Sequence, residues 1–164
     1  MQALSIRPVF LAVLLIAALL GNTPKASAAE AKDFTGWEVG SPYNALYNPK
    51  EIDKLTGEIK VFVEVVPMPG MVPGTAFELE EGQGESILVH LCPAAFATSA
   101  ETGLQKGVKT KVRGSWAVID GKDVFMAAKI KQGEHFEFKV RLSKDGTPFW
   151  TLSPEQLAQE QEKD

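Results

Sequence analysis

The chain has 164 residues, a formal charge of −4 and a single cysteine, Cys92. The acidic balance argues against nucleic-acid binding, which leaves a basic electrostatic footprint. One cysteine rules out an internal disulfide, so the fold rests on its apolar core.

The first 28 residues have the three regions of a secretory signal peptide. Arg7 precedes an apolar run from Val9 to Leu20, and small residues follow at Ala26, Ser27, Ala28 and Ala29. The run falls short of the roughly 20 apolar residues that span a bilayer, and Gly21, Asn22, Thr23 and Pro24 break it. Cleavage after Ala28 is expected, with an uncleaved anchor as the alternative. Processing there removes Arg7 and Lys25 and no acid, which takes the charge from −4 to −6 and leaves 136 residues, about one domain. The expected location is the periplasm, without stable membrane insertion after cleavage.

The segment 29–55 reads as an N-terminal arm and short helix. Trp37, Tyr43, Leu46 and Tyr47 need somewhere to bury large apolar surfaces, so the arm is expected to lie on the domain rather than hang free. Asn48, Pro49 and Glu51 form a helix-start pattern, which predicts about two helical turns from Pro49 to Leu55.

From Thr56 the period becomes two, and 56–152 reads as a β-domain. Ile59, Val61, Val63 and Val65 fall on one face, with Lys60, Phe62, Glu64 and Val66 on the other. A proline- and glycine-rich loop, PMPGMVPG, carries Met68 and Met71. TAFELE and ESILVHL then form a hairpin. If Val89 faces Phe77, then Ile87 faces Leu79 and Leu91 faces Thr75, while Leu88, His90 and Cys92 share the opposite face. PAAFATSAETGLQKG predicts a short helix or structured crossover. KTKVRGSWAVI and KDVFMAAKI flank Asp120-Gly121, a strong hairpin turn signal. EFKVRL and TPFW suggest a sixth strand and a small terminal hairpin. Ser153, Pro154 and Gln156 start a last helix within 153–164.

One long strand, a hairpin, a short helix and a second hairpin follow the element order of an oligonucleotide/oligosaccharide-binding (OB) barrel. The fold expected is therefore all-β with short helices: a small OB-like barrel of five to six strands, with another small barrel or a sandwich as the alternative. Val61, Val63, Phe77, Val89, Val112 and Ile119 are its predicted core.

WEVGSPYNALYNP, TGEIKVFVEVVPMPGM, VHLCP, VRGSWAVIDGK and DGTPFW, in that order, resemble the motifs of a loosely characterised family of exported bacterial OB-fold-like proteins. Members of that family read W-G-x-x-S-P-Y, P-M-x-G-M, V-H-L-G-P and D-G-x-P-x-W. The resemblance covers most of Trp37 to Trp150 and implies a periplasmic barrel without an agreed activity. His90, Met68 and Met71 match the pattern. Cys92 stands where the family has Gly and Ala95 where it has Trp, so Cys92 is not expected to carry a shared function.

No G-x-S-x-G, H-E-x-x-H, P-loop or C-x-x-C-H motif is present. A non-enzymatic accessory or binding protein is the reading favoured, with an unidentified periplasmic protein or small ligand as partner and no cofactor. Trp37, Tyr43, Tyr47, Trp116 and Trp150 are the candidate ligand-binding residues, since aromatics offer stacking area; packing of the arm is the competing use. The alternative is a soft-metal protein binding Cu(I) or Ag(I) through Met68, Met71 and His90, with Cys92 as a possible further ligand. Methionine sulfur, thiolate and imidazole suit such ions.

Export is checked by the intact mass of protein taken from the periplasmic fraction. The expected mass corresponds to a chain starting at Ala29; full-length mass in the membrane fraction would establish the anchor instead.

Overall fold

The computed structural model describes residues 31–161 except Gln83. The signal sequence read from residues 1–28 lies outside that range. Six strands carry the fold: β1 (Asp53–Val65), β2 (Gly74–Glu81), β3 (Glu85–Pro93), β4 (Lys109–Ile119), β5 (Lys122–Gln132) and β6 (Phe136–Lys139). Single 3-10 turns occupy Asn44–Leu46 and Phe149–Thr151, and helix α1 spans Pro154–Gln161. Among the described residues, no helix is long and apolar enough to cross a membrane.

The strands run β3-β2-β1-β4-β5-β6, and a parallel pairing of β3 with β5 closes the first five into a ring. This is the expected OB-like barrel. Closure depends on β1 serving two neighbours: its first half pairs with β4 and its second half with β2. Gly57 sits where the partners change, and a Cβ there would collide with the Glu80 carbonyl. Gly114 on β4 makes an equally close approach to the Met126 carbonyl. Both glycines mark places where backbones meet too tightly for a side chain.

Pairing across the ring gives two rows with opposite roles. Phe77, Val89, Phe125 and Trp116 are successive ladder partners and share one face. All but Trp116 are buried in the barrel interior. Ala76, His90, Met126 and Ser115 form the adjacent row on the other face. That row points outward and is nevertheless buried, because the arm from Trp37 to Asn48 covers it. Asn48 N–H donates to Ser115 Oγ at 3.1 Å, and the Tyr43 hydroxyl lies 3.2 Å from His90 Nδ1.

Several local expectations change. Pro49 to Leu55 is not a helix: Asn48 Oδ1 accepts from Lys50 N–H in a turn, and β1 begins at Asp53. The capping chemistry is present, but pairing with β4 takes the following residues into the sheet. The 94–108 crossover contains turns and no helix. TPFW forms a 3-10 turn with one isolated bridge, Arg141 to Pro148, rather than a hairpin arm. The terminal helix starts as read, with Ser153 and Gln156 exchanging hydrogen bonds of 2.9 and 3.3 Å.

Two bulges revise the register. An irregularity between Ile59 and Val61 puts Phe62 opposite Phe77, with their rings edge to face at 6.1 Å. Val61 is thereby exposed and Val63 only half-buried, whereas Ile59 is fully buried. A second shift, at Leu91, makes Cys92 rather than Leu91 the partner of Thr75. A bulge changes the alternation without leaving a glycine or proline as its signal.

Introducing a charge on β1 distinguishes the two registers. Ile59→Asp, which buries an unpaired carboxylate, should cost several kcal/mol or prevent folding, whereas Val61→Asp should cost under about 1 kcal/mol by urea denaturation. Equal losses would mean that the bulge is misplaced.

Candidate functional site

The chemistry-bearing groups gather under the arm. Trp37 is held by two indole bonds: its own Nε1–H donates to Val72 O at 2.9 Å, and Trp150 Nε1–H donates to Trp37 O at 2.7 Å. Its ring meets Tyr43 and Trp150 edge to face, at 4.8 and 5.9 Å. A Cβ at Gly74 would collide with the indole, so the ring lies directly on the β2 backbone.

Beneath this aromatic layer lies Arg141. Its guanidinium stands over the Tyr47 ring at 5.0 Å and the Trp150 ring at 5.2 Å, and Nη1–H donates to Gly146 O at 3.4 Å. The residue is 3 % exposed. Among the described residues no carboxylate pairs with it; the groups that favour its charge are Tyr43, Tyr47 and Cys92. Its Nε and the Tyr47 hydroxyl are buried without hydrogen-bond partners among the described residues. Cation–π contacts offset part of the burial cost of such a cation.

Arg141 arrives there through a local irregularity. In EFKVRL, alternation puts Arg141 with Glu137 and Lys139 on a polar face. Val140 N–H and Arg141 N–H instead both donate to Ala128 O, at 2.8 and 3.0 Å. This breaks the alternation after β6 and turns Arg141 into the core. Sequence reasoning missed the residue for that reason.

Burial, and secondarily the guanidinium charge, shifts the titration of the neighbouring groups. Burial, with a smaller contribution in the same direction from the nearby Arg141 charge, pulls the His90 imidazole down to about 4. Burial pushes the Cys92 thiol up to about 12, against the smaller opposing effects of the Ala97 backbone and of Arg141. Burial also raises Tyr43. His90 is therefore neutral and Cys92 a protonated thiol at neutral pH.

The residues singled out from sequence separate into different environments. Trp37, Tyr43, Tyr47 and Trp150 are buried, and the aromatic area offered to a ligand goes into holding the arm and C-terminal segment. Trp116 is 40 % exposed, stacked edge to face on Phe125, with its Nε1–H donating to Asp53 Oδ2 at 3.1 Å. Met71 fills the space beside Gly36, and Val72 N–H donates to Thr35 O. His90, placed by alternation on the face opposite Phe77 and Val89, is sealed beneath the arm, and Cys92 is fully buried with its thiol donating to Ala97 O at 3.6 Å. Among the described residues, no group of three or more His, Cys, Asp or Glu side chains could hold a metal. A buried cation and a protonated thiol both work against binding Cu(I) at this place.

The sequence profile of the MamS/MamX magnetosome protein family matches residues 51–137, more than half of the chain. The chain belongs to this family. The MamS/MamX match spans β1 to β5 and the start of β6, so it covers the whole closed ring. Trp37, Arg141 and Trp150, which cover the outer row, lie beyond the MamS/MamX match on either side. No curated protein and no solved structure gives a significant match.

The buried imidazole makes stability depend on acid. Unfolded His90 takes up a proton near pH 6.5, while the folded protein resists until about pH 4. Between these values the unfolded state binds more protons, so stability falls as pH falls, by about 3 kcal/mol in all. Urea titrations from pH 7 to pH 4 should show this loss in the wild type and a shallower one in His90→Gln. Identical slopes would place the acid sensitivity elsewhere.

Proposed function

We propose that the chain is a non-catalytic accessory protein of magnetosome formation, exported to the periplasm, which acts by binding a protein or small ligand. The family's name supports the magnetosome setting. The run Val9–Leu20 and the small residues after it support export.

One observation carries the non-catalytic reading. The groups best suited to chemistry, Cys92 and His90, lie under a fixed aromatic layer, with the thiol held protonated. A cysteine nucleophile works as an accessible thiolate beside a positive partner. Here the positive partner is present, yet burial outweighs it. The surface left for binding includes Trp116, with Val118 also exposed two residues further along β4.

Complementation tests the reading in cells that make magnetosomes. Deleting the gene should change magnetosome number or size in electron micrographs, and Cys92→Ser should restore the wild-type appearance as fully as the unaltered chain. An unchanged deletion strain would remove the magnetosome role. Failure of a folded Cys92→Ser protein to restore it would reinstate thiol chemistry.

A further inference from the structure

Arg141 also lines a cavity of about 290 Å³ on the side of the barrel formed by β5, β6 and α1. Lys129, Lys139, Lys144 and the Ser143 hydroxyl line it too, with Glu160 the one carboxylate among the lining residues. Together with Glu137 and Asp145, which pair with its lysines, the cavity sets four cations against three carboxylates in a chain whose net charge is −4. Part of this charge has partners: Lys129 pairs with Glu137 at 2.8 Å, Lys139 donates to Glu160 O at 3.1 Å, and Lys144 lies 3.9 Å from Asp145. Arg141 differs, because it is the buried member and its Nε has no acceptor among the described residues.

We propose that this cavity binds a small oxyanion, either free phosphate or a low-molecular-weight multivalent carboxylate, with Arg141 as its buried cation and Lys129 and Lys144 at its sides. An oxyanion supplies the negative charge that the buried guanidinium lacks, and charge-assisted hydrogen bonds to phosphate or carboxylate are among the strongest a protein makes. The confined volume favours a small anion, and the acidic remainder of the surface repels an extended polyanion. The site lies outside the residues that define the family match, except for Lys129. It is independent of the magnetosome role.

The test follows arginine side-chain Nε–H signals in the ¹⁵N-labelled full chain during titration with inorganic phosphate and, separately, citrate. The chain has three arginines, Arg7, Arg113 and Arg141, so substituting Arg7 and Arg113 by lysine assigns the signals. The Arg141 signal should move saturably while that of Arg113 stays in place, and the bound anion should raise the melting temperature. Because Arg141 belongs to the core, the affinity variants are Lys129→Gln and Lys144→Gln. Each should weaken binding by about two- to fivefold, with Lys54→Gln, outside the cavity, unchanged. Tighter binding of phosphate identifies phosphate as the ligand chemistry, and tighter binding of citrate identifies a carboxylate. An Arg141 signal unmoved by both anions, or equal weakening by Lys54→Gln and Lys144→Gln, overturns the site.

Discussion

The Trp37 indole is the contact on which the outer half of the structure depends. A closed barrel hides one face of each strand and leaves the other to water. Here part of that outer face carries Ala76, His90 and Met126, with Cys92 nearby, and is too apolar to be left exposed. Trp37 covers it by lying on Gly74, donating to the 66–73 loop through Val72 and accepting from Trp150 near the other end of the described chain. One residue, through its indole and its backbone carbonyl, thereby fixes the arm, a loop and the C-terminal segment against a single patch of sheet. Replacing Gly74 by any larger residue would displace it.

With that cover in place, a cation can be kept almost entirely buried. Arg141 between the Tyr47 and Trp150 rings has the planar, weakly hydrated head group that suits an aromatic sandwich; a lysine ammonium has neither property. Its field and the low local polarity act together on His90, both favouring the neutral ring. They oppose each other at Cys92, where burial dominates. The same enclosure thus suppresses the reactivity of two groups that, in an open cleft, would suggest a catalytic pair.

The elements visible in the sequence are those whose signal is local. Alternation over TAFELE and ESILVHL identifies the first hairpin, and Asp120-Gly121 adopts the positive φ angles of 51° and 72° that its turn requires. The order of strands was enough to suggest ring closure. The features without a local signal depend on the partner strand or on distant residues: the bulge that exchanges Val61 for Phe62, the strand that takes in Asp53 to Leu55, and the turn that buries Arg141. Burial of His90 and Cys92 is of the same kind. Alternation correctly placed His90 opposite Ala76, but it could not show that an arm some fifty residues earlier lies over them.

The Trp150 to Trp37 hydrogen bond joins residues 113 positions apart. Such a contact closes almost the whole domain into a loop, and its entropic cost is met only once the intervening sheet has brought the two ends near each other. The ring can assemble from its hairpins while the outer row is still wet, and the arm and C-terminal segment then dock on a surface already formed. During synthesis the arm emerges early and waits without a partner until Trp150 has been made. The segment around Trp150 therefore completes the order of the arm.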